Sequence, residues 1–107
     1  MTLRLALTPG EPAGVGPDVT IQSIQHGSDH ELVAFADPDM LLSRAKQLGL
    51  PLSLREAAVK PLPLRAGELA VHPISMAKRV LAGKLDVSNA QYVIDCIDQA
   101  ILACQSK

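Results

Sequence analysis

Thr8-Pro9-Gly10-Glu11-Pro12-Ala13-Gly14-Val15-Gly16-Pro17-Asp18 holds three glycines and three prolines in eleven residues. The apolar run Leu3 to Leu7 before it reads as a strand. Val19, Ile21 and Ile24 after it fall in a short helix expected from about Pro17 to Gln25. Glycine reaches backbone angles closed to other residues and lets a neighbouring group approach the main chain. Proline lacks an amide donor, so Pro17 suits a first helical turn, where that donor would go unpaired anyway. Strand, Gly-rich turn and helix start form the unit that places a ligand loop at the carboxyl end of a strand in open α/β sheets.

The spacing Gly10-x3-Gly14-x-Gly16 is neither the dinucleotide fingerprint nor a Walker A, since no Lys-Ser/Thr follows the glycines. On spacing alone two readings stand: a tight turn whose glycines serve packing, or a loop lining a ligand cleft.

The whole sequence of 107 residues leaves room for one domain. An apolar fraction of 48% supports a core, and with aromatics at 2% that core is built of Leu, Val, Ile and Ala. Ten basic against eleven acidic side chains, with no run of either sign, argue against a nucleic-acid footprint. Only Phe35 and Tyr92 could offer base-stacking platforms. No apolar stretch approaches the roughly 20 residues of a membrane helix, and the N-terminus reads as a strand and not a signal peptide. The expectation is a soluble, cytoplasmic protein.

Glu31-Leu32-Val33-Ala34-Phe35-Ala36 is apolar after its first residue, as in a parallel strand covered on both faces. Asp37 and Pro38 make a helix cap and first helical residue. Leu41, Leu42, Ala45 and Leu48 form the expected buried stripe of that helix, which Gly49 closes. Asp37 also stands where dinucleotide folds keep a ribose-binding carboxylate, but capping explains it without a ligand. Leu52 to Leu54 reads as a third short strand, and Arg55 to Ala66, interrupted by Pro61 and Pro63, as a surface crossing. In Gly67 to His72, Leu69 and Val71 alternate with Glu68, Ala70 and His72, which predicts a half-exposed edge strand with His72 facing out. Residues 74–84 read as a loop.

Ser88 is a good cap for the last helix, where Ala90, Val93, Ile94, Ile97, Ala100, Ile101 and Cys104 are expected to form one inward stripe. Cys96 and Cys104 are too far apart along that helix to bond to each other, and free thiols suit a reducing compartment. The stripe places Cys104 inward and Cys96 at its border, so Cys96 is expected to react first. His26 and His30 have zinc-like spacing, but Gly27, Ser28 and Asp29 break any helix between them and no third ligand is near. His72 has no carboxylate or nucleophile placed beside it. No catalytic or metal-binding residue is assigned.

Strand, helix, strand, helix, strand, strand, helix makes an α/β fold: three αβα layers around a largely parallel sheet. The chain resembles the opening third of the 4-hydroxythreonine-4-phosphate dehydrogenase family, within the isocitrate/isopropylmalate dehydrogenase-like group. TPGEPAGVGPD is the specific motif; many relatives read GDPAGIGPE, so Glu11, Val15 and Asp18 are conservative departures. The LVAFAD strand, LLSRAKQLGLPL and AGKLDVSNAQYVIDCIDQAI agree in pattern and length, while the likeness thins across Arg55 to Ala66, where this chain is shorter.

The resemblance implies an NAD- or NADP-dependent enzyme that uses a divalent metal (zinc, magnesium or cobalt). That enzyme oxidises 4-phosphohydroxy-L-threonine with decarboxylation, in pyridoxal phosphate biosynthesis, as a homodimer. It implies that residues 1–107 are the N-terminal α/β part of a two-domain protein, the fold being incomplete and this part alone inactive. The family's metal-ligand histidines belong to later segments, so none is carried onto His26, His30 or His72. A cofactor-side, cleft-lining role is carried over for Gly14 and Gly16, with Glu11 as a polar contact. Two alternatives stay open: a same-fold dehydrogenase of another phosphorylated hydroxy acid such as a threonate phosphate, and a stand-alone, non-enzymatic α/β binding module.

Overall fold

Short apolar runs separated by proline and glycine punctuation give seven elements in the computed structural model, which describes residues 2–10, 14–74 and 90–106. They are β1 (Arg4–Leu7), α1 (Gly16–Ser23), β2 (Glu31–Ala36), α2 (Pro38–Leu48), β3 (Ser53–Arg55), β4 (Glu68–Pro73) and α3 (Ala90–Ser106). Pro17 lies in the first turn of α1 and Pro38 in that of α2. The expected Ser88 cap, the loop from residue 75 onward and Glu11 lie outside the described residues.

All three strand pairings are parallel, in the order β1-β2-β4-β3. Chain order and sheet order diverge at one place. β2 leads through α2 to β3 at the far edge, and the chain then returns to insert β4 between β2 and β3. The edge-strand reading of residues 67–72 is therefore wrong: β4 is interior, and among the described residues the edges are β1 and β3. The alternation misled because the supposedly solvated face carries Ala70, which is fully buried, and Glu68, whose carboxylate meets Arg55 at 3.4 Å. His72 does face out, and its ring stacks on Phe35 at 4.9 Å.

Each face of the sheet has its own core. On one, Ala34, Ala36, Leu69 and Val71 pack against Ile24 beyond α1 and against Met40 and Leu41 of α2. On the other, Val33, Phe35 and Ala70 pack against Tyr92, Cys96 and Ala100 of α3. The expected three αβα layers are present.

Both outer layers correct the sequence reading. In α2 the buried residues are Met40, Leu41, Arg44 and Ala45, while Leu42 points to solvent. In α3 only part of the expected inward stripe is buried: Ala100 is, and Val93 packs against the core. Tyr92, Cys96 and Ala100 face the sheet, whereas Ile94, Ile97, Ile101 and Cys104 are exposed. Residues 92, 96 and 100 advance by four, the same-face repeat of a helix, and bring the helix's largest side chain, Tyr92, onto the sheet.

The crossing between β3 and β4 is fastened at several points. Ser28 and Leu64 exchange two backbone hydrogen bonds, of 3.0 and 2.9 Å. Gly27 has φ +79°, and a side chain there would press against the Leu64 carbonyl, so the turn after α1 requires glycine.

Candidate functional site

The Gly-rich segment leaves the carboxyl end of β1, the end of a parallel sheet at which α/β folds place their ligands. Its shape is set by backbone contact. Gly16 lies against the Pro9 peptide: a Cβ built on it would be 2.9 Å from the Pro9 carbonyl carbon and closer still to the oxygen. Thus the departing and returning legs of the loop touch where only glycine fits. Gly10 takes φ +84°, a conformation that also favours glycine.

Arg44 of α2 ties this loop to the body of the fold. It is almost fully buried, and its Nη1 donates to the Gly14 carbonyl at 3.0 Å and to Asp18 Oδ1 at 2.6 Å. The guanidinium thereby bridges the loop, the first turn of α1 and α2. Asp18 also suits the positive end of that helix. Sequence reading missed Arg44, although it falls three residues after Leu41 on the buried side of α2, an unusual place for an unpaired cation.

Asp37, at the carboxyl end of the neighbouring strand β2, caps α2. Its Oδ1 accepts from the amides of Asp39 (2.9 Å) and Met40 (3.3 Å). Its own N–H donates to the Tyr92 hydroxyl at 2.8 Å. The capping explanation for Asp37 is the one the geometry bears out. The Cys96 thiol lies beside Tyr92 in the same core cluster. Burial pushes both groups above their ordinary pKa ranges, the hydrogen bond from Asp37 opposing this for Tyr92. Neither is poised to act as a base or nucleophile near neutral pH.

The strongest electrostatic centre lies at the other, amino end of the strands. Glu31 is fully buried and accepts from Arg4 Nε (2.5 Å), Arg55 Nη1 (2.7 Å) and the Ala58 amide (3.1 Å). Burial alone would raise its pKa; the hydrogen bonds from Arg55, Arg4 and Ala58 outweigh that and hold it at about 2. A carboxylate so fixed in its charged form is a clamp joining β1, β2 and β3, not an acid–base catalyst. It also gives the crossing after Arg55 an anchoring role that its proline-rich sequence did not reveal.

The sequence-predicted residues are thus distributed as follows. Gly14 and Gly16 share the locked loop, and Glu11 lies outside the described residues. His26 is exposed, whereas His30 Nδ1 accepts from the Leu3 amide at 3.0 Å. Among the described residues, no three His, Cys, Asp or Glu side chains come together as a metal site. An open cleft of about 550 Å³ lies on the α3 face, lined by Arg4, Phe35, His72 and Cys104 among others, without a residue of the Gly-rich loop among those described.

A match to curated proteins decides the ancestry of this loop and fold. The chain is 50% identical over 99 residues to a 4-hydroxythreonine-4-phosphate dehydrogenase of Yersinia pseudotuberculosis, a match that takes in 91% of the chain. By sequence, the chain is homologous to part of 4-hydroxythreonine-4-phosphate dehydrogenase. The dehydrogenase of that name from Shewanella frigidimarina is 45% identical over 102 residues. The chain spans about 30% of the length of these curated relatives. Solved structures agree on the fold. A Klebsiella pneumoniae 4-hydroxythreonine-4-phosphate dehydrogenase superimposes with a TM-score of 0.78 at 24% identity. One from Burkholderia phymatum does so with a TM-score of 0.82 at 18% identity; each match covers 99% of this chain and 34% of the other. No family model matches the chain. No described helix is long and apolar enough to cross a membrane.

Proposed function

We propose that residues 1–107 supply the N-terminal α/β part of a cytoplasmic, homodimeric 4-hydroxythreonine-4-phosphate dehydrogenase. That enzyme would oxidise and decarboxylate 4-phosphohydroxy-L-threonine with NAD or NADP and a divalent metal. The observation that carries this reading is 50% identity over 99 residues to a protein of that name. The locked loop at the carboxyl end of β1 supports it: Gly14 and Gly16 would line one wall of the cleft, and Glu11 would add a polar contact.

The residues described do not by themselves fit the metal, since no group of three ligands forms among them. No chemical step is therefore assigned to them. Their part is to hold a wall of the cleft rigid, with Arg44 fixing the Gly14 carbonyl. Bound nicotinamide would accept the hydride, while the protein's contribution is orientation. Orientation of reacting groups is worth roughly 7–11 kcal/mol of barrier, so one wall of a cleft is a poor catalyst alone.

The test joins residues 1–107 to the remainder of the Yersinia pseudotuberculosis relative, in place of its own matching stretch. The fused protein is expected to reduce NAD or NADP when given metal and 4-phosphohydroxy-L-threonine. The 107-residue chain alone is expected to show neither turnover nor tight binding of magnesium, manganese or zinc in calorimetry. A folded, metal-loaded fusion without activity, or sustained turnover by the chain alone, would refute the reading.

A further inference from the structure

α1 begins without the local chemistry that usually fixes how a chain enters a helix. Its cap position is Val15, whose side chain has no hydrogen-bond acceptor, and no side-chain cap is made. α2, by contrast, is capped by its own Asp37. The entry of α1 is held from another element instead. One nitrogen of Arg44, on α2, donates to the carbonyl of Gly14, the residue before the cap, and to the carboxylate of Asp18. Gly14 and Asp18 are four residues apart, so a single guanidinium spans the end of the Gly-rich loop and the first helical turn.

The contact with Gly14 fixes a direction. A trans peptide is planar, with its carbonyl and its N–H pointing to opposite sides. With the Gly14 carbonyl drawn toward α2, the Val15 N–H is turned away from α2. The Arg44 side chain is only 6% exposed, between the buried Leu41 and Ala45 on its helix. A buried ion pair adds little net stability over apolar residues of the same volume. The effect of this one lies in where it places the loop.

We propose that Arg44 is a positioning residue for the dehydrogenase reaction. By holding the Gly14 carbonyl and Asp18 together, it sets the orientation of the Gly14–Val15 peptide and the entry of α1, and through them the shape of the cleft wall. This rests on the reading of the Gly-rich loop as one wall of the substrate and cofactor cleft.

The test uses the fused enzyme and compares the parent, Arg44→Met, and Arg44→Met combined with Asp18→Asn. Arg44→Met alone leaves the Asp18 carboxylate without this cation and is expected to lower both melting temperature and turnover. The double variant removes the stranded charge. Asp18 is 31% exposed and Gly14 is half-buried, so water can reach both. Its melting temperature is therefore expected to return to within about 3 °C of the parent. Its turnover is expected to stay low, by on the order of 10- to 100-fold, the loss that a misplaced wall brings. NMR relaxation of the Val15 amide gives a readout free of catalysis. Its order parameter is expected to fall from about 0.85 in the parent toward ~0.6 in both variants.

Turnover that recovers together with melting in the double variant would overturn the proposal, since the pair would then be a structural tie alone. A Val15 order parameter that keeps the parent's value in both variants would overturn it as well. A parent fusion that folds without turning over would count against the functional reading. A Val15 amide loosened by the substitutions in that fusion would leave the hold of Arg44 on the loop standing.

Discussion

Replacing Gly16 by alanine adds a single methyl group at the tightest point of the Gly-rich loop. That methyl would sit 2.9 Å from the Pro9 carbonyl carbon, against the roughly 3.5–4.0 Å at which carbon atoms rest comfortably. The obstacle is backbone, so no rotamer change relieves it; the Pro9 carbonyl oxygen, nearer still than its carbon, sets how far the Pro9 peptide must retreat. Overpacking of this kind costs about 1–3 kcal/mol, and a backbone obstacle places the cost at the upper end. Gly16 is also the first residue of α1, where alanine would return up to ~1 kcal/mol of helix propensity. The net expectation is a loss of about 2 kcal/mol. For a chain of this size that corresponds to a fall in melting temperature of roughly 8–15 °C.

Urea and thermal unfolding of the chain would measure this, with Gly10→Ala and Val15→Ile beside it. Gly10 has open space around it, so alanine there costs only the ~1 kcal/mol of its positive φ. Val15 is 74% exposed, and isoleucine there should change stability by less than about 0.5 kcal/mol. In the fused enzyme, Gly14→Val and Gly16→Val should lower turnover far more than Val15→Ile. If Gly16→Ala unfolds within 0.5 kcal/mol of the parent chain, the contact with Pro9 does not constrain the loop and the locked-wall argument fails.

Glu31 ionises at about 2 in the fold against an ordinary 4.5, so its depressed pKa contributes roughly 3 kcal/mol of stability that is present above about pH 5 and drains away as pH falls toward 2. Glu31→Gln should flatten that acid limb in pH-dependent urea titrations; an unchanged limb would mean that the clamp does not exist. Tyr92→Phe removes the acceptor of the Asp37 amide and should cost about 1–3 kcal/mol in chemical denaturation, whereas a neutral effect would mean that the amide finds another partner. Cys104 should react with a thiol reagent well before Cys96, which is 2% exposed and has its thiol pKa raised by burial, and labelling of Cys96 first would refute the packing of α3.

The parts of this fold that declared themselves in sequence are those governed by local chemistry. Asp37-Pro38 could only begin a helix well, and Gly49 ends it with φ +69°. The apolar run of β2 announced a strand covered on both faces, and both of its faces are buried. What the sequence did not announce was decided across long separations. The place of β4 depends on a crossover that takes the chain past an empty slot and back, and a two-residue alternation is the same for a solvated face as for one covered later by a helix around small Ala70. Arg44 and Glu31 were unreadable for a related reason. Each is a charged residue whose burial is tolerable only because its partner arrives from a segment at least 24 residues away.

The turn of α3 toward Tyr92 and Cys96 carries the most information about the candidate site. Ranking the helix by hydrophobicity favours the isoleucine side, and a helix that had only one layer to pack against would be expected to bury it. Instead the sheet takes Tyr92, whose hydroxyl can reach the Asp37 amide, and Cys96 and Ala100, whose small side chains permit close approach. Tyr92 thereby connects the third layer to the carboxyl end of β2, next to the strand that carries the Gly-rich loop, while Arg44 connects the same loop to the second layer. A wall held from both layers has little freedom to follow a ligand. Ile94, Ile97 and Ile101 are left half-exposed on the outer side of α3.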